Sequence, residues 1–152
     1  MTFDDRLYEL YIDLPEPPAA EKTTVHAVRA GKLLFVSGVL PRSEGKMMKG
    51  RAGVEVSLDK AKLAARAALV NAFGIMVAEL GGSLGKVKRI VKLSGAVACG
   101  ADFKDHFKVF DGASELIRDV FGLQGKHVRE VVGASSLPEG ATVELSIVVE
   151  LK

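Results

Sequence analysis

Cysteine is almost absent from this sequence. Cys99 is the only one in 152 residues, so no intrachain disulfide can form and a reducing, cytoplasmic compartment is expected. A single thiol and three histidines without ligand spacing (His26, His106 and His127) make no zinc site, so no metal is expected. Cys99 itself is expected to pack as a small hydrophobe. Tryptophan is missing and aromatics are 6% of residues, which leaves few platforms for stacking bases. Neither charge sign dominates: the net charge is +2 and the signs are interspersed, too little to imply nucleic-acid or membrane-surface binding. No apolar run reaches the roughly 20 residues of a membrane span. The charged start, Met1 to Arg6, is not followed by the apolar stretch of a signal peptide. No G-x-G-x-x-G follows a strand pattern, so no nucleotide loop is implied.

What is present is ordered. Phe3, Leu7, Leu10 and Tyr11 recur at helical spacing behind Asp4 and Asp5, which suit the positive end of a helix dipole, and Leu14-Pro15-Glu16-Pro17-Pro18 ends that helix. Residues 1–23 are therefore expected to form a short helix and stiff linker ahead of a domain over 24–152. Thr24 to Ala30 and Leu33 to Gly38 read as a β-hairpin turning at Gly31-Lys32. Pro41 to Gly53 is polar and glycine-rich and reads as a loop. From Leu58 to Leu80 the apolar residues form one stripe, with Ser57 as N-cap and Gly81-Gly82 as the stop. Asn71 and Gly74 lower the propensity of this helix, and packing is the expected reason. Val87 to Ala98 reads as a long strand, with Val91, Leu93 and Val97 on one face and Lys88, Lys92 and Ser94 on the other. Asp102 is expected to cap a second helix whose core stripe is Phe103, Phe107, Phe110, Ala113, Ile117 and Val120. Two further strands flank a Leu137-Pro138-Glu139-Gly140 turn.

The order ββ-α-β-α-ββ is not the alternation of a doubly wound fold. It predicts an α+β architecture: one mixed sheet with two long helices on one face. The other face, where Val39, Ile90 and Val148 are expected, is too apolar to stand in water, so a closed homo-oligomer is expected.

The last strand alternates strictly, with Val143, Leu145, Ile147, Val149 and Leu151 towards the core and Glu144 on the other side. Arg129 is expected across the turn, on a neighbouring strand and on the same non-core face as Glu144. By residue chemistry alone that pair is either a cross-strand ion pair or a site, and the ion pair is the commoner outcome. His127 lies two residues before Arg129 and shares its face; it can bond or carry a proton near neutral pH, and a purely structural role is equally compatible. His106 is expected to be solvated on the second helix. Lys86, Lys88, Arg89 and Lys92 form a basic cluster, which could track phosphates but is better read as a solvated strand face.

Three stretches resemble one known family. Ala27-Val28-Arg29-Ala30-Gly31 with Leu34-Phe35-Val36-Ser37-Gly38 and Leu40-Pro41 resembles its N-terminal hairpin; Leu80-Gly81-Gly82-Ser83-Leu84-Gly85-Lys86-Val87 resembles its helix-to-strand turn; and Arg129 followed by Leu137-Pro138, Gly140-Ala141 and Val143-Glu144 resembles its C-terminal signature. The family is Rid (reactive intermediate deaminase, YjgF-like), also known as the L-PSP endoribonuclease family, and the resemblance is to a divergent branch. It implies a chorismate-mutase-like fold and a homotrimer with a central β-barrel and clefts between subunits. It also implies hydrolysis of 2-imino or enamino acids to 2-keto acids and ammonia, without cofactor or metal. By the same resemblance Arg129 clamps the substrate carboxylate, helped by a backbone N–H after Ser37-Gly38. Glu144 handles the attacking water, Ser37, Gly38 and Val131 line the pocket, and His127 joins them. The family's strand tyrosine falls at Thr24 and its cysteine at Val131. Two alternatives stand beside imine hydrolysis: a non-catalytic binder of small carboxylates, and an endoribonuclease.

Overall fold

The computed structural model describes residues 1–152. In chain order the elements are α1 (Phe3–Glu9), β1 (Ala27–Ala30), β2 (Leu33–Val39), β3 (Arg42–Ser43), β4 (Lys46–Met47), α2 (Leu58–Glu79), β5 (Val87–Ala98), α3 (His106–Phe121), β6 (Val128–Ala134) and β7 (Val143–Leu151). Five strands form one sheet in the order β1-β2-β7-β5-β6, antiparallel throughout except for β5 with β6. Helices α2 and α3 pack together and against one face, giving the expected α+β layers.

The helices form for local reasons. Ser57 accepts a bond from the Lys60 N–H at 3.2 Å and caps α2. Along α2, Ala61, Ala64, Ala65, Ala68 and Ala72 are buried, and their small side chains let the helix lie close to its neighbours. By length and composition α2 could cross a membrane, against the expectation that no run would; more than half of its apolar window is buried inside the protein, as in a core helix. Helix α3 begins at His106 behind Asp105, not behind Asp102, and Asp105 makes no side-chain capping bond. Val109, Phe110, Ala113, Leu116, Ile117, Val120 and Phe121 bury its apolar side. Phe103 therefore precedes the helix, and Phe107 points outward, 57% exposed, instead of joining the core stripe.

The segment before β1 belongs to the same core. Leu7 of α1 is buried in it, Phe3 packs on Phe121, and the Asp4 carboxylate accepts the Leu84 N–H at 3.1 Å. Pro15 passes over Gly74, and Asn71 donates to the carbonyls of Leu40 and Arg42 at 2.9 Å each, so both odd residues of α2 have packing reasons.

Four further sequence expectations fail in the sheet and its loops. The Pro41–Gly53 loop contains a ribbon, β3 with β4, because Glu44 and Gly45 both take positive φ (53° and 79°), as a tight hairpin turn requires. Val39 and Ile90 face the helices and are buried, not on the open face. Register shifts in β2 and β5 invert the alternation just before each of them. Strands β6 and β7 are not neighbours, since β5 lies between them. The cause is α3: it joins β5 to β6 as a parallel pair, which needs a crossover helix, and this fills one side of β5 and leaves β7 the other. Finally, Arg129 is level with Leu93 and therefore on the helix side, while Glu144 is level with Ala96 on the open side.

The open face carries an apolar row. Val28, Phe35, Val148, Lys92 and Val128 are in register across all five strands. Val28, Phe35, Val128 and Val132 are 53%, 43%, 64% and 59% exposed.

Candidate functional site

The sequence-predicted residues fall into two groups. The first sits on the open face where β2 meets β7. Pairing runs Val36 to Ile147, then Val39 to Leu145, so Ser37 and Gly38 together oppose Ser146 alone. This is a β-bulge, a device that re-aims side chains next to functional sites. Ser37 Oγ lies 2.7 Å from Ser146 Oγ. A Cβ on Gly38 would stand 2.8 Å from Glu144 Oε2, so only glycine leaves the half-buried carboxylate where it is. Ser37, Gly38 and Glu144 are thus brought together.

The second group lies at the sheet edge, between β6 and α3. Arg129 Nη1 donates to Asp111 Oδ1 at 2.8 Å and to Ser114 Oγ at 3.1 Å. Its guanidinium lies 4.9 Å from the centre of the Phe107 ring, within cation–π range. His127 bonds the Gly125 carbonyl through Nδ1 at 2.6 Å and Ser114 Oγ through Nε2 at 3.0 Å. A carbonyl only accepts, so Nδ1 carries the hydrogen and Nε2 receives the Ser114 hydroxyl. Both ring nitrogens are therefore engaged within the protein. Val131 is half-buried and packs against the core from the helix side. Thr24 is exposed and precedes β1.

One chain does not unite the two groups. Arg129 and Glu144 lie two strands apart, about 10 Å across the sheet, and three residues apart along it, about 10 Å more. They also face opposite sides. The cross-strand ion pair that residue chemistry favoured does not form; Arg129 pairs with Asp111 instead. Two clefts border these groups without including Arg129 or Glu144, and His127 alone of the site residues lines one of them. One of about 570 Å³ is lined by Leu33, Arg89, Val91, Lys126, His127, Val128 and Glu150, and the other, of about 670 Å³, by Met1, Phe3, Val87, Lys88, Arg89, Leu123, Gln124 and Lys152.

The remaining candidates resolve simply. Lys88 and Lys92 pair with Glu150 and Glu130 at 3.7 and 3.1 Å. His106 is half-buried, not solvated, with Nε2 3.7 Å from the Sγ of buried Cys99. Asp111, Ser114 and Phe107 are contacts of Arg129 that the sequence reading missed. Their spacing on α3 (i, i+3 and i, i+4) does put them on one side, but nothing in the sequence tied that side to β6.

Comparison with known proteins agrees with the α+β fold. The sequence profile described as "YjgF/chorismate mutase-like, putative endoribonuclease" matches residues 4–151. The chain belongs to this family. Among its relatives, Protein TCP17 of Trypanosoma cruzi is 40% identical over 147 residues, covering 95% of this chain and 91% of that one. Two solved structures are also similar. Atu1372 of Agrobacterium tumefaciens, of unknown function, is 38% identical with a TM-score of 0.92, covering 99% of this chain and 94% of its own. A putative endoribonuclease of Shewanella oneidensis is 28% identical with a TM-score of 0.94, covering 99% and 100%. The family match begins within α1, so it takes in the N-terminal segment as well as the sheet.

Proposed function

We propose that this YjgF-like chain binds small carboxylate metabolites and hydrolyses reactive 2-imino acids to 2-keto acids and ammonia, at sites shared between the subunits of a cytoplasmic homotrimer. The observation that carries this reading is the split of the site: Glu144 sits against Gly38 on the open face, while Arg129 sits at the edge strand on the other side. Each half is presented at a surface and lacks what the other has. The apolar row on the open face favours cover by further copies of the chain.

In the mechanism, Arg129 holds the ligand carboxylate through Nε and Nη2, because its protein bonds use Nη1. Glu144 positions a water and takes its proton as the oxygen attacks the C=N carbon. The C=N electron pair moves to nitrogen, which is protonated. The C–N bond then breaks, the hydroxyl proton is lost, and ammonia and a 2-keto acid leave. No redox partner is needed.

The test generates 2-iminopropanoate with an amino-acid oxidase and follows its loss. Wild type is expected to speed the loss over buffer, and Arg129→Ala and Glu144→Gln to abolish the gain. No gain with wild type would sink the catalytic claim. A second reading, a non-catalytic carboxylate binder, draws on Thr24 and Val131 standing where the family's tyrosine and cysteine are expected. In that case pyruvate raises the melting temperature without turnover. An endoribonuclease is disfavoured by the net charge of +2 and the scarcity of aromatics.

A further inference from the structure

The ion pair at Arg129 differs from the two close arginine–glutamate pairs of the chain in its contacts, and from the exposed one-oxygen pairs Arg6–Glu9 and Arg118–Asp119 in its burial. Arg42 engages both oxygens of Glu139 at 2.7 Å each. Arg51 forks onto Glu55 through Nε and Nη2 at 3.0 and 3.1 Å, and its hydrogen bonds hold the Glu55 carboxyl below its ordinary range. In both, the two carboxylate oxygens are engaged by the arginine, by Nη2 alone in Arg42 and by the Nε–Nη2 fork in Arg51. Arg129 meets Asp111 through one nitrogen and one oxygen only. Asp111 Oδ2 and the Nε–Nη2 edge of Arg129 are left without a protein partner, although Arg129, at 22% side-chain exposure, is the least exposed of the paired cations. Ser114 fixes Nη1, and His127 in turn fixes Ser114, so the open edges do not arise from a loose side chain.

We propose that Asp111 and Arg129 together form a two-charge subsite that selects carboxylates bearing a cationic nitrogen, amino or iminium, over 2-keto acids. The assignment rests on the carboxylate-binding reading above. A 2-amino or 2-iminio acid carries its two charges on adjacent carbons. The subsite likewise presents a free cationic edge and a free anionic oxygen on groups that touch at a single atom pair. A 2-keto acid satisfies Arg129 but must compete with Asp111 for it and offers Asp111 nothing. Hydrolysis removes the cationic nitrogen, so the product loses half of its recognition and the arginine is returned to Asp111. Asp111 is here a specificity-determining residue; it donates and accepts no proton in the reaction.

Calorimetric titration tests this with L-alanine, a stable stand-in for the protonated imine, and with pyruvate. Wild type is expected to bind alanine roughly ten- to a hundredfold more tightly than pyruvate, the value of one hydrogen bond to a charged group. In Asp111→Asn the alanine affinity falls by a similar factor while pyruvate binds as well or better, because Arg129 is no longer neutralised. The Asp111 side chain is 42% exposed, so the variant is expected to fold, and the wild-type preference is a readout that needs no variant. Equal affinity for the two ligands in wild type, or an equal loss of both in Asp111→Asn, would overturn the subsite and leave imine hydrolysis standing. Absence of binding by both ligands would overturn it as well, and with a blank imine assay the proposed function would fall too.

Discussion

At the scale of single residues, Gly38 and Arg129 show what the site demands. The Glu144 carboxylate occupies the space that a Cβ on Gly38 would need. Gly38→Ala is therefore expected to displace the carboxylate by a fraction of an ångström and to cut imine turnover by about 100-fold, the scale of such misplacements. Gly38 is exposed, so the melting temperature should barely move; an equal fall in stability and turnover would argue against a positional role. Phe107 covers the Arg129 guanidinium from outside. Phe107→Ala should cost less than about 1 kcal/mol of stability in urea unfolding, yet weaken carboxylate binding a few-fold. Sequence alone could name Arg129, Ser37, Gly38 and Glu144, because each lies inside a recognisable motif. It could not supply Asp111, Ser114 or Phe107, because they act through a contact between α3 and β6 that no local pattern encodes.

At the scale of elements, the alternating pattern of β7 predicts its two faces correctly, since that strand runs unbroken between two partners. The same logic fails for Val39 and Ile90, because one extra residue reverses every face beyond it. The bulge that misleads the reading in β2 is also what places Ser37 and Gly38 opposite Ser146. The strand order was likewise hidden, because a tight turn between β6 and β7 reads as a hairpin whether or not β5 enters between them. Helix α3 divides its duties between two phenylalanines. Phe110 is fully buried and fills the space over Gly95, so Phe110→Ala is expected to cost about 3–5 kcal/mol, several times the cost of Phe107→Ala. Comparable losses for the two would contradict the assignment of one to the core and the other to the site. The β3–β4 ribbon hangs on the Asn71 amide and the Arg42–Glu139 pair. Asn71→Ala should destabilise by about 1–2 kcal/mol, with faster amide exchange between residues 40 and 48.

At the scale of the whole molecule, the sheet has one face sealed by α2 and α3 and one that carries Val28, Phe35, Val128 and Val132 into solvent. A charge placed there should prevent assembly without harming the core. Val132→Glu is expected to give a monomer by native mass spectrometry, folded but inactive, whereas wild type gives a trimer; an active monomer would place the whole site within one chain. The most direct measurement is complementation. Arg129→Ala and Glu144→Gln are each expected to be inactive towards 2-iminopropanoate. Co-expressed, they assemble mixed trimers in which the intact Arg129 of one subunit meets the intact Glu144 of another, and activity returns. If the mixed preparation forms trimers and stays as inactive as its parents, the two halves of the site do not meet across subunits and the account fails.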